Sequence, residues 1–235
     1  MLIPIERPSA AQAAGLDRDG YLLLRGAAPL ACREGLRQAF EAGVGAPEQW
    51  AAPRANGWRH ALVDLDPVVQ RVCRAPAVLA AVGHLLDEPF FFSQVEGREP
   101  LPQAGHQPLH RDGAGQRAVA ALVFLDDFGP DNGATRVVPR HLDPGAPDET
   151  LAQVLSGAAG DILVFDVDVL HGATINRSGA RRRTLLLSFM PERLRAEEDA
   201  CRAVRNVRMD TREVFAGGAL GLPAVATDDL GLAAI

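Results

Sequence analysis

The stretch "QPLHRDG" places a histidine two residues before an aspartate, as His110 and Asp112. On a β-strand, residues i and i+2 point to the same face, so both side chains can reach one point while Arg111 points away. Gly113 and Gly115 follow, and glycine lets the backbone turn immediately after the pair. This spacing predicts two ligands of one metal ion. A surface turn with ordinary polar residues is the alternative for such a pair taken alone.

A third ligand is offered by "GDILVFDVDVLHGA", an apolar strand that runs into His171 about sixty residues after His110. Two histidines and one carboxylate on one face of a metal ion, with the other face open, form the facial triad of non-haem Fe(II) oxygenases. We therefore predict that iron is held by His110, Asp112 and His171. The remaining histidines have no partner at ligand spacing and are predicted to be structural: His60, His84, His106 and His141.

Arg182 lies eleven residues after His171, at the entry to the apolar segment "TLLLSFM". A guanidinium group presents a planar fork to a carboxylate, and bidentate pairing gives both energy and orientation. Holding the distal carboxylate of 2-oxoglutarate requires such a group. Arg181 and Arg183 flank this position, so a shift of one residue in the strand would exchange the arginine that faces the site; the spacing favours Arg182.

The segments "LDRDGYLLLRG", "QPLHRDG", "DNGATRVVP" and "HGATINRSGARRRTLLLSF" follow one another over roughly residues 16 to 190. In this order they resemble the phytanoyl-CoA dioxygenase family of Fe(II)/2-oxoglutarate oxygenases. The resemblance implies a double-stranded β-helix, iron on the predicted triad, and 2-oxoglutarate held by Arg182. It also implies contacts to 2-oxoglutarate from Gln107 and from Thr135 of "NGAT". Thr184 lies two residues after Arg182, so on a strand it faces the same pocket.

The activity that the resemblance implies is hydroxylation of an unactivated C–H bond of a small-molecule metabolite, with Fe(II), 2-oxoglutarate and O2, and with release of succinate and CO2. Related halogenases replace the carboxylate ligand by a small residue. Asp112 is present here, so hydroxylation is expected, with desaturation and ring closure as alternatives. Family members act on acyl-CoA thioesters, ectoine, amino acid derivatives and natural-product scaffolds, and the primary substrate is not encoded in any motif of this chain.

The chain departs from the family pattern at two places. Ala173 stands where many members carry a serine, which removes one hydrogen bond to 2-oxoglutarate. The usual "PGSH" after the "NGAT" strand is replaced by "PRH", Pro139 to His141, so that turn is shortened or altered.

The sequence also bears on functional classes other than the oxygenases. A non-catalytic cupin-like protein that binds a metal or a small molecule is the main alternative, but it would need no arginine for 2-oxoglutarate. The string "HRD" also occurs in protein kinases, yet the chain has no Gly-rich loop upstream and no lysine. No HExxH pair is present, which argues against that class of zinc hydrolase.

Composition narrows the class of protein further. The 235 residues are 47% hydrophobic, no apolar run approaches the roughly 20 residues that span a bilayer, and no secretory signal is expected. All 24 basic residues are arginine, so lysine-dependent chemistry is excluded. A net charge of -6 argues mildly against a nucleic-acid partner. Three widely spaced cysteines predict reduced thiols in a cytoplasm. Nothing in the sequence predicts the oligomeric state.

Helical patterns precede the strands along the chain. Residues 9–43 predict helix, strand and helix, with Ser9 as a possible N-cap, and "PAVLAAVGHLL" from Pro76 predicts a further helix that begins on proline. Short β-rich segments with turn residues between them follow, and 194–209 predicts a helix again. This order favours the α+β class, with a jelly-roll core of the double-stranded β-helix type buttressed by N-terminal helices.

The expected organisation is one dioxygenase domain over residues 1–235. It consists of a helical part at about 1–88, a jelly-roll core at about 89–192, and a C-terminal helix and tail at 193–235.

Several further polar residues are candidates for the pocket. Residues 44–60 are predicted to be a loop, and Trp58 with its neighbours is a candidate lid over the site. Gln94 belongs to the strand "FFFSQVEG", but the face on which it lies cannot be predicted. Arg98 and Arg117 flank the HxD segment and are candidates to pair with an acidic substrate group, or else ordinary surface charges.

Overall fold

The structure is a computed structural model, and it describes residues 2–45, 50, 56–112, 115 and 117–217. None of the helices in these ranges is long and apolar enough to cross a membrane. The α-helices are α1 Ala10–Asp19, α2 Leu30–Gly43, α3 Pro67–Cys73, α4 Pro76–Leu86 and α5 Arg195–Cys201. The strands are β1 Leu2–Ile5, β2 Tyr21–Leu24, β3 Trp58–Ala61, β4 Phe90–Pro100, β5 Gln107–His110, β6 Val119–Phe124, β7 Thr135–Val137, β8 Gln153–Val154, β9 Ile162–Asp166, β10 His171–Ala173, β11 Thr184–Pro191 and β12 Val214–Gly217.

Helix α1 begins and ends as its sequence predicts. The Ser9 hydroxyl accepts a hydrogen bond from the Gln12 amide, and the Gln12 side chain accepts one from the Ser9 amide, which together form a capping box. Gly20 ends the helix at φ 76°, a left-handed conformation that glycine adopts without steric cost. The chain therefore turns directly into β2.

The larger sheet has the order β1-β12-β4-β11-β6-β9-β2, and β3 pairs with β4. Its strands bury alternate residues on opposite faces. On β11, Leu185, Leu187 and Phe189 belong to the main core, which also contains Leu36 of α2 and Val82 of α4. The helices therefore cover one face of this sheet and leave the other face for the smaller sheet.

The smaller sheet has the order β5-β10-β7-β8 and contains most of the predicted polar site residues. A second apolar cluster unites Val137 of β7 with Leu122 of β6 and Phe165 of β9, so the two sheets pack face to face. This arrangement confirms the predicted α+β double-stranded β-helix with helices against it.

The segment "GDILVFDVDVLHGA" forms two strands, and its prediction as a single strand was wrong. Asp166 accepts a hydrogen bond from the Asp168 amide through its side chain, and from the Val169 amide through its carbonyl, so the chain turns after β9. Strand β9 therefore belongs to the larger sheet and β10 to the smaller one. This turn carries His171 from one sheet to the other.

Other boundaries differ from the predictions. The prediction of a loop over 44–60 was wrong for Trp58–His60, which belong to β3, and helix α3 was not predicted. The C-terminal helix is shorter than predicted and ends at Cys201. The predictions for Gly113, most of 46–55 and the tail from 218 onward concern residues outside the described ranges.

Substitution of two adjacent leucines on β11 tests whether the two faces of the larger sheet have different surroundings. We expect Leu187→Ala to lower the free energy of unfolding by about 2–5 kcal/mol, because Leu187 is fully buried in the helix-side core. Leu186→Ala is expected to cost less, because the Leu186 side chain borders a cavity. Urea unfolding of both variants measures the difference, and equal losses would contradict the assignment of the two faces.

Candidate metal centre

The three predicted metal ligands converge in the structure. His110 ends β5, His171 begins β10, and the two residues are direct cross-strand partners in the smaller sheet. Nε2 of His110 lies 3.4 Å from one carboxylate oxygen of Asp112, and Nε2 of His171 lies 3.5 Å from the other. One potential ligand atom from each residue lies within 4.8 Å of the others. Two imidazoles and a carboxylate therefore face one point.

Backbone carbonyls hold both imidazole rings in place. Nδ1 of His110 lies 2.8 Å from the carbonyl oxygen of Pro108, and Nδ1 of His171 lies 2.8 Å from that of Val169. A carbonyl only accepts hydrogen bonds, so Nδ1 carries the proton in each ring. In the neutral imidazole this leaves the lone pair on Nε2, the atom that faces Asp112, free for a metal.

Asp112 is held by its backbone and is open to the cavity. Its amide donates to the carbonyl of Val167 at 3.1 Å, which ties the end of β5 to the turn after β9. Arg111 points the opposite way and donates to the carbonyl of Asp168 and the carboxylate of Asp143. The alternation that the sequence predicts, with the aspartate inward and the arginine outward, is therefore present.

The charges of this cluster favour a cation. The imidazoles of His110 and His171 hold the pKa of the Asp112 carboxyl well below its usual range. The same contact raises the pKa of His110. Asp112 is thus anionic at neutral pH, the state that a metal ligand requires.

Gly172 allows the close approach of the two ligand strands. A Cβ atom at this position would lie 2.6 Å from the Gln107 carbonyl oxygen and 2.9 Å from that of Pro108. Both are backbone atoms of the β5 segment, so a side chain there would push β5 away from β10. The glycine directly after the second histidine therefore helps to keep the two imidazoles together.

Arg182 is a buried cation, 2% exposed, and its Nε–H donates no hydrogen bond to any described residue. Its guanidinium carbon lies 4.7 Å from the centroid of the Phe128 ring and 5.4 Å from that of Trp58. Burial lowers the pKa of Arg182 to about 9, so the group is cationic at neutral pH. A desolvated guanidinium without a carboxylate partner is costly and is suited to receive one.

The neighbouring arginines are occupied elsewhere. Arg181 pairs with Glu99 at 2.6 Å, and Arg183 pairs with Asp126 at 2.7 Å. Both also contact Glu41 at 2.8 Å. Of the three consecutive arginines, Arg182 lines the cavity and the other two lie in ion pairs outside it.

One cavity of about 370 Å³ brings all the predicted site residues together. Thr135 and Gln107 are cross-strand neighbours of Ala173 on either side, so Ala173 lies between two polar residues. Thr184 donates its hydroxyl to the carbonyl of Val123 at 2.9 Å. The predicted residues that line the cavity are Gln107, His110, Asp112, Thr135, His171, Arg182 and Thr184.

Some pocket residues could not be identified from the sequence. Trp58 lines the cavity from β3, although it was predicted in a loop. Glu198 and Arg205 line it from the C-terminal segment, where no motif marks them. Gln94 and Ser188 share the strand face of Thr184, and period-two spacing from Thr184 identifies Ser188.

Other candidates lie elsewhere. Arg117 donates to the carbonyl of Leu86 and is not among the described cavity residues, whereas Arg98 lines the cavity and pairs with Glu96. The other four histidines are also absent from the described cavity lining.

The fold of this chain is similar to the folds of several proteins of known structure. HygX from Streptomyces hygroscopicus, solved with nickel, 2-oxoglutarate and hygromycin B bound, has a TM-score of 0.65 at 17% identity and covers 79% of this chain and 88% of its own. EctD from S. alaskensis, solved with bound Fe, has a TM-score of 0.63 at 20% identity and covers 78% and 77%. At these identities the likeness shows a shared fold.

Sequence comparison gives a more specific relationship. The chain is 27% identical over 175 residues to an L-proline trans-4-hydroxylase of Streptomyces griseoviridis, an alignment that covers 55% of this chain and 65% of that protein. The alignments span less than two thirds of the length of the first curated relatives that the chain matches. The family model described as phytanoyl-CoA dioxygenase (PhyH) matches residues 16–184, which include every predicted site residue. The chain therefore belongs to the phytanoyl-CoA dioxygenase family.

Proposed function

We propose that this protein is an Fe(II)- and 2-oxoglutarate-dependent dioxygenase that hydroxylates a C–H bond of a small-molecule metabolite. One observation carries the proposal: two imidazoles and a carboxylate face a single point in the cavity that also contains a buried guanidinium, which has no carboxylate partner among the described residues. A metal cation and an organic acid are the two ligands that these charges fit.

Iron would be held by His110, Asp112 and His171. Two imidazole nitrogens and one carboxylate suit Fe(II), and a triad on two paired strands leaves the remaining metal positions open toward the cavity. The carbonyls that bind both Nδ1 atoms fix the ring orientation before any metal arrives.

2-Oxoglutarate would be bound through its distal carboxylate by Arg182. The bidentate pair would neutralise the buried guanidinium, which favours this acid over an uncharged ligand. Gln107 and Thr135 from the smaller sheet and Thr184 from the larger sheet would contact the remaining polar atoms of the co-substrate.

Bound iron would supply oxidative chemistry in which 2-oxoglutarate and O2 become succinate and CO2 and one oxygen atom enters the substrate as hydroxyl. The protein would supply placement: Arg182 orients the co-substrate, and the triad leaves space for it beside the substrate. Trp58, Leu186 and Phe165 line the cavity with apolar surface that keeps water from the reacting groups.

Similar proteins support the same class of reaction. The chain resembles a proline hydroxylase in sequence, and HygX and EctD structures with metal or 2-oxoglutarate in fold. We extend the proposal to a single catalytic domain over residues 1–235, in the cytoplasm, with a small-molecule substrate and no nucleic-acid or membrane partner.

A ligand variant tests the iron site. We expect His171→Ala to lower Fe(II)- and 2-oxoglutarate-dependent succinate formation at least a hundredfold, because one of three protein ligands is lost. Calorimetric titration with Fe(II) without oxygen should show weakened metal binding in the same variant. His84→Ala is the matched control, since His84 pairs with Asp17 near the protein surface. Unaltered succinate formation in His171→Ala would overturn the ligand assignment.

The arginine assignment is tested by Arg182→Met, which removes the charge and keeps much of the volume. We expect the KM for 2-oxoglutarate to rise at least tenfold, or about 1.4 kcal/mol of lost binding, while the affinity for Fe(II) changes little. Thermal unfolding without 2-oxoglutarate should show equal or greater stability, because an uncompensated buried charge has been removed.

The matched control for this prediction is Arg181→Met, the adjacent residue, whose guanidinium is engaged by Glu99 and Glu41. Its KM for 2-oxoglutarate should stay near that of the wild type. If Arg181→Met raised the KM and Arg182→Met did not, the role would belong to the neighbouring arginine.

A further inference from the structure

The cavity extends along β11 away from Arg182. Thr184, Leu186 and Ser188 line it in succession. Ser188 is four residues after Thr184, which on a strand corresponds to a distance of about 13 Å. Arg182 adjoins the Thr184 end. The Ser188 end is therefore too distant to share the co-substrate carboxylate and is available for another ligand.

The Ser188 end lies level with the metal centre. Phe165, whose ring centroid is 5.0 Å from that of His171, is the cross-strand partner of Ala120. Ala120 pairs with Ser188, and Ser188 pairs with Gln94. A small molecule placed along this row would have one part near the metal ligands and another part at Gln94.

Two opposite charges line the cavity near Gln94. The side-chain amide of Gln94 donates to the backbone carbonyl of Arg205 at 3.4 Å, and the Arg205 guanidinium pairs with Glu198 at 2.5 Å. Both charged residues line the cavity. Arg98, which also lines the cavity, is paired with the buried Glu96.

The segment with Arg205 is anchored to the domain by a buried carboxylate. Asp64, 2% exposed, accepts hydrogen bonds from the amides of Arg208 and Met209 at 2.6 and 3.0 Å, and it also pairs with the Arg208 guanidinium. Arg202 donates to the carbonyl of Met209 at 2.8 Å. These contacts hold the Glu198–Arg205 pair against the cavity, in contrast to a surface ion pair between mobile side chains.

These charges lie outside the part of the chain that matches the family. The match ends at residue 184, whereas Glu198 and Arg205 follow it. All the proposed iron and 2-oxoglutarate residues lie inside the match. The pair therefore lies in a segment that the family match does not include, apart from the residues proposed to bind iron and 2-oxoglutarate.

The geometry points to a zwitterionic substrate, a small molecule that carries both an ammonium and a carboxylate group, recognised by Glu198 and Arg205. This inference rests on the proposed oxygenase function and names its substrate class. Glu198 takes the ammonium group and Arg205 the carboxylate, so the substrate replaces the internal ion pair with two external ones. A cavity of about 370 Å³ that also holds 2-oxoglutarate suits a molecule of amino-acid size.

The test is calorimetric titration of the protein loaded with Fe(II) and 2-oxoglutarate without oxygen, so that binding is measured without turnover. The probes are free L-α-amino acids, each beside its N-acetyl derivative, which lacks the ammonium charge, and its methyl ester, which lacks the carboxylate. We expect at least one free amino acid to bind, with both derivatives at least tenfold weaker.

Charge-removing variants assign the two groups. Glu198→Gln should weaken binding of the free amino acid at least tenfold without weakening that of the N-acetyl derivative. Arg205→Gln should also weaken binding of the free amino acid at least tenfold, without weakening binding of the methyl ester. Arg193→Gln is the matched control, because Arg193 is exposed, pairs with Glu88 and does not line the cavity; its affinities should equal those of the wild type.

The inference is overturned if no free amino acid binds, if the derivatives bind as tightly as the free acid, or if both cavity variants keep wild-type affinity. Succinate formation in air without added amino acid, measured in parallel, separates this result from the broader proposal. If succinate forms while amino acids fail to bind, only the substrate class is wrong. If amino acids bind with the expected selectivity but no succinate forms with any of them, the oxygenase proposal fails and the recognition site stands.

Discussion

The pairing of β5 with β10 is the contact on which the candidate centre depends. It makes His110 and His171 direct cross-strand partners, and it is close because residue 172 has no side chain. Asp112 follows β5 and is tied by its amide to the turn that precedes β10. The three predicted ligands thus share one backbone framework although they come from distant parts of the chain, so metal binding would require no large rearrangement.

The cavity contains charges that its own protein groups leave uncompensated. Asp112 is anionic beside two imidazoles at one place, and at another Arg182 is buried against aromatic rings with no carboxylate partner in the part of the chain that the structure describes. A core built for stability alone would replace the second group with an apolar side chain of similar volume. Arg181 and Arg183 show how the same residue type is treated when its role is structural: each forms ion pairs with two carboxylates. Burying the charge of Arg182 lowers the stability of the fold, and such a destabilising group is expected where a ligand completes the site.

Local patterns predicted the parts of the fold that local interactions determine. Period two placed His110 and Asp112 on one face, and the capping signals of Ser9 and Gly20 bounded α1. The turn at Asp166 was not predicted, because the apolar pattern continues through it. The Asp-x-Asp sequence at this position is nevertheless a turn signal. The strands β1 and β12 could not be predicted, because each is stabilised by parallel pairing with the other from the opposite end of the chain. Glu198 and Arg205 reach the cavity only through such long-range contacts.

The structure separates the parts that would perform the chemistry from the part that would choose the substrate. The metal ligands and Arg182 lie on or beside strands of two packed sheets, where a displacement of one strand disturbs many neighbours. The segment after α5 is attached through hydrogen bonds to Asp64 and Gln94 and through the buried Met209, and it contributes no strand between Cys201 and β12. Changes in that segment would alter the charges at the far end of the cavity while the triad stays in place. This division explains how one fold can act on chemically unrelated metabolites, because selection and oxidation depend on different sets of contacts.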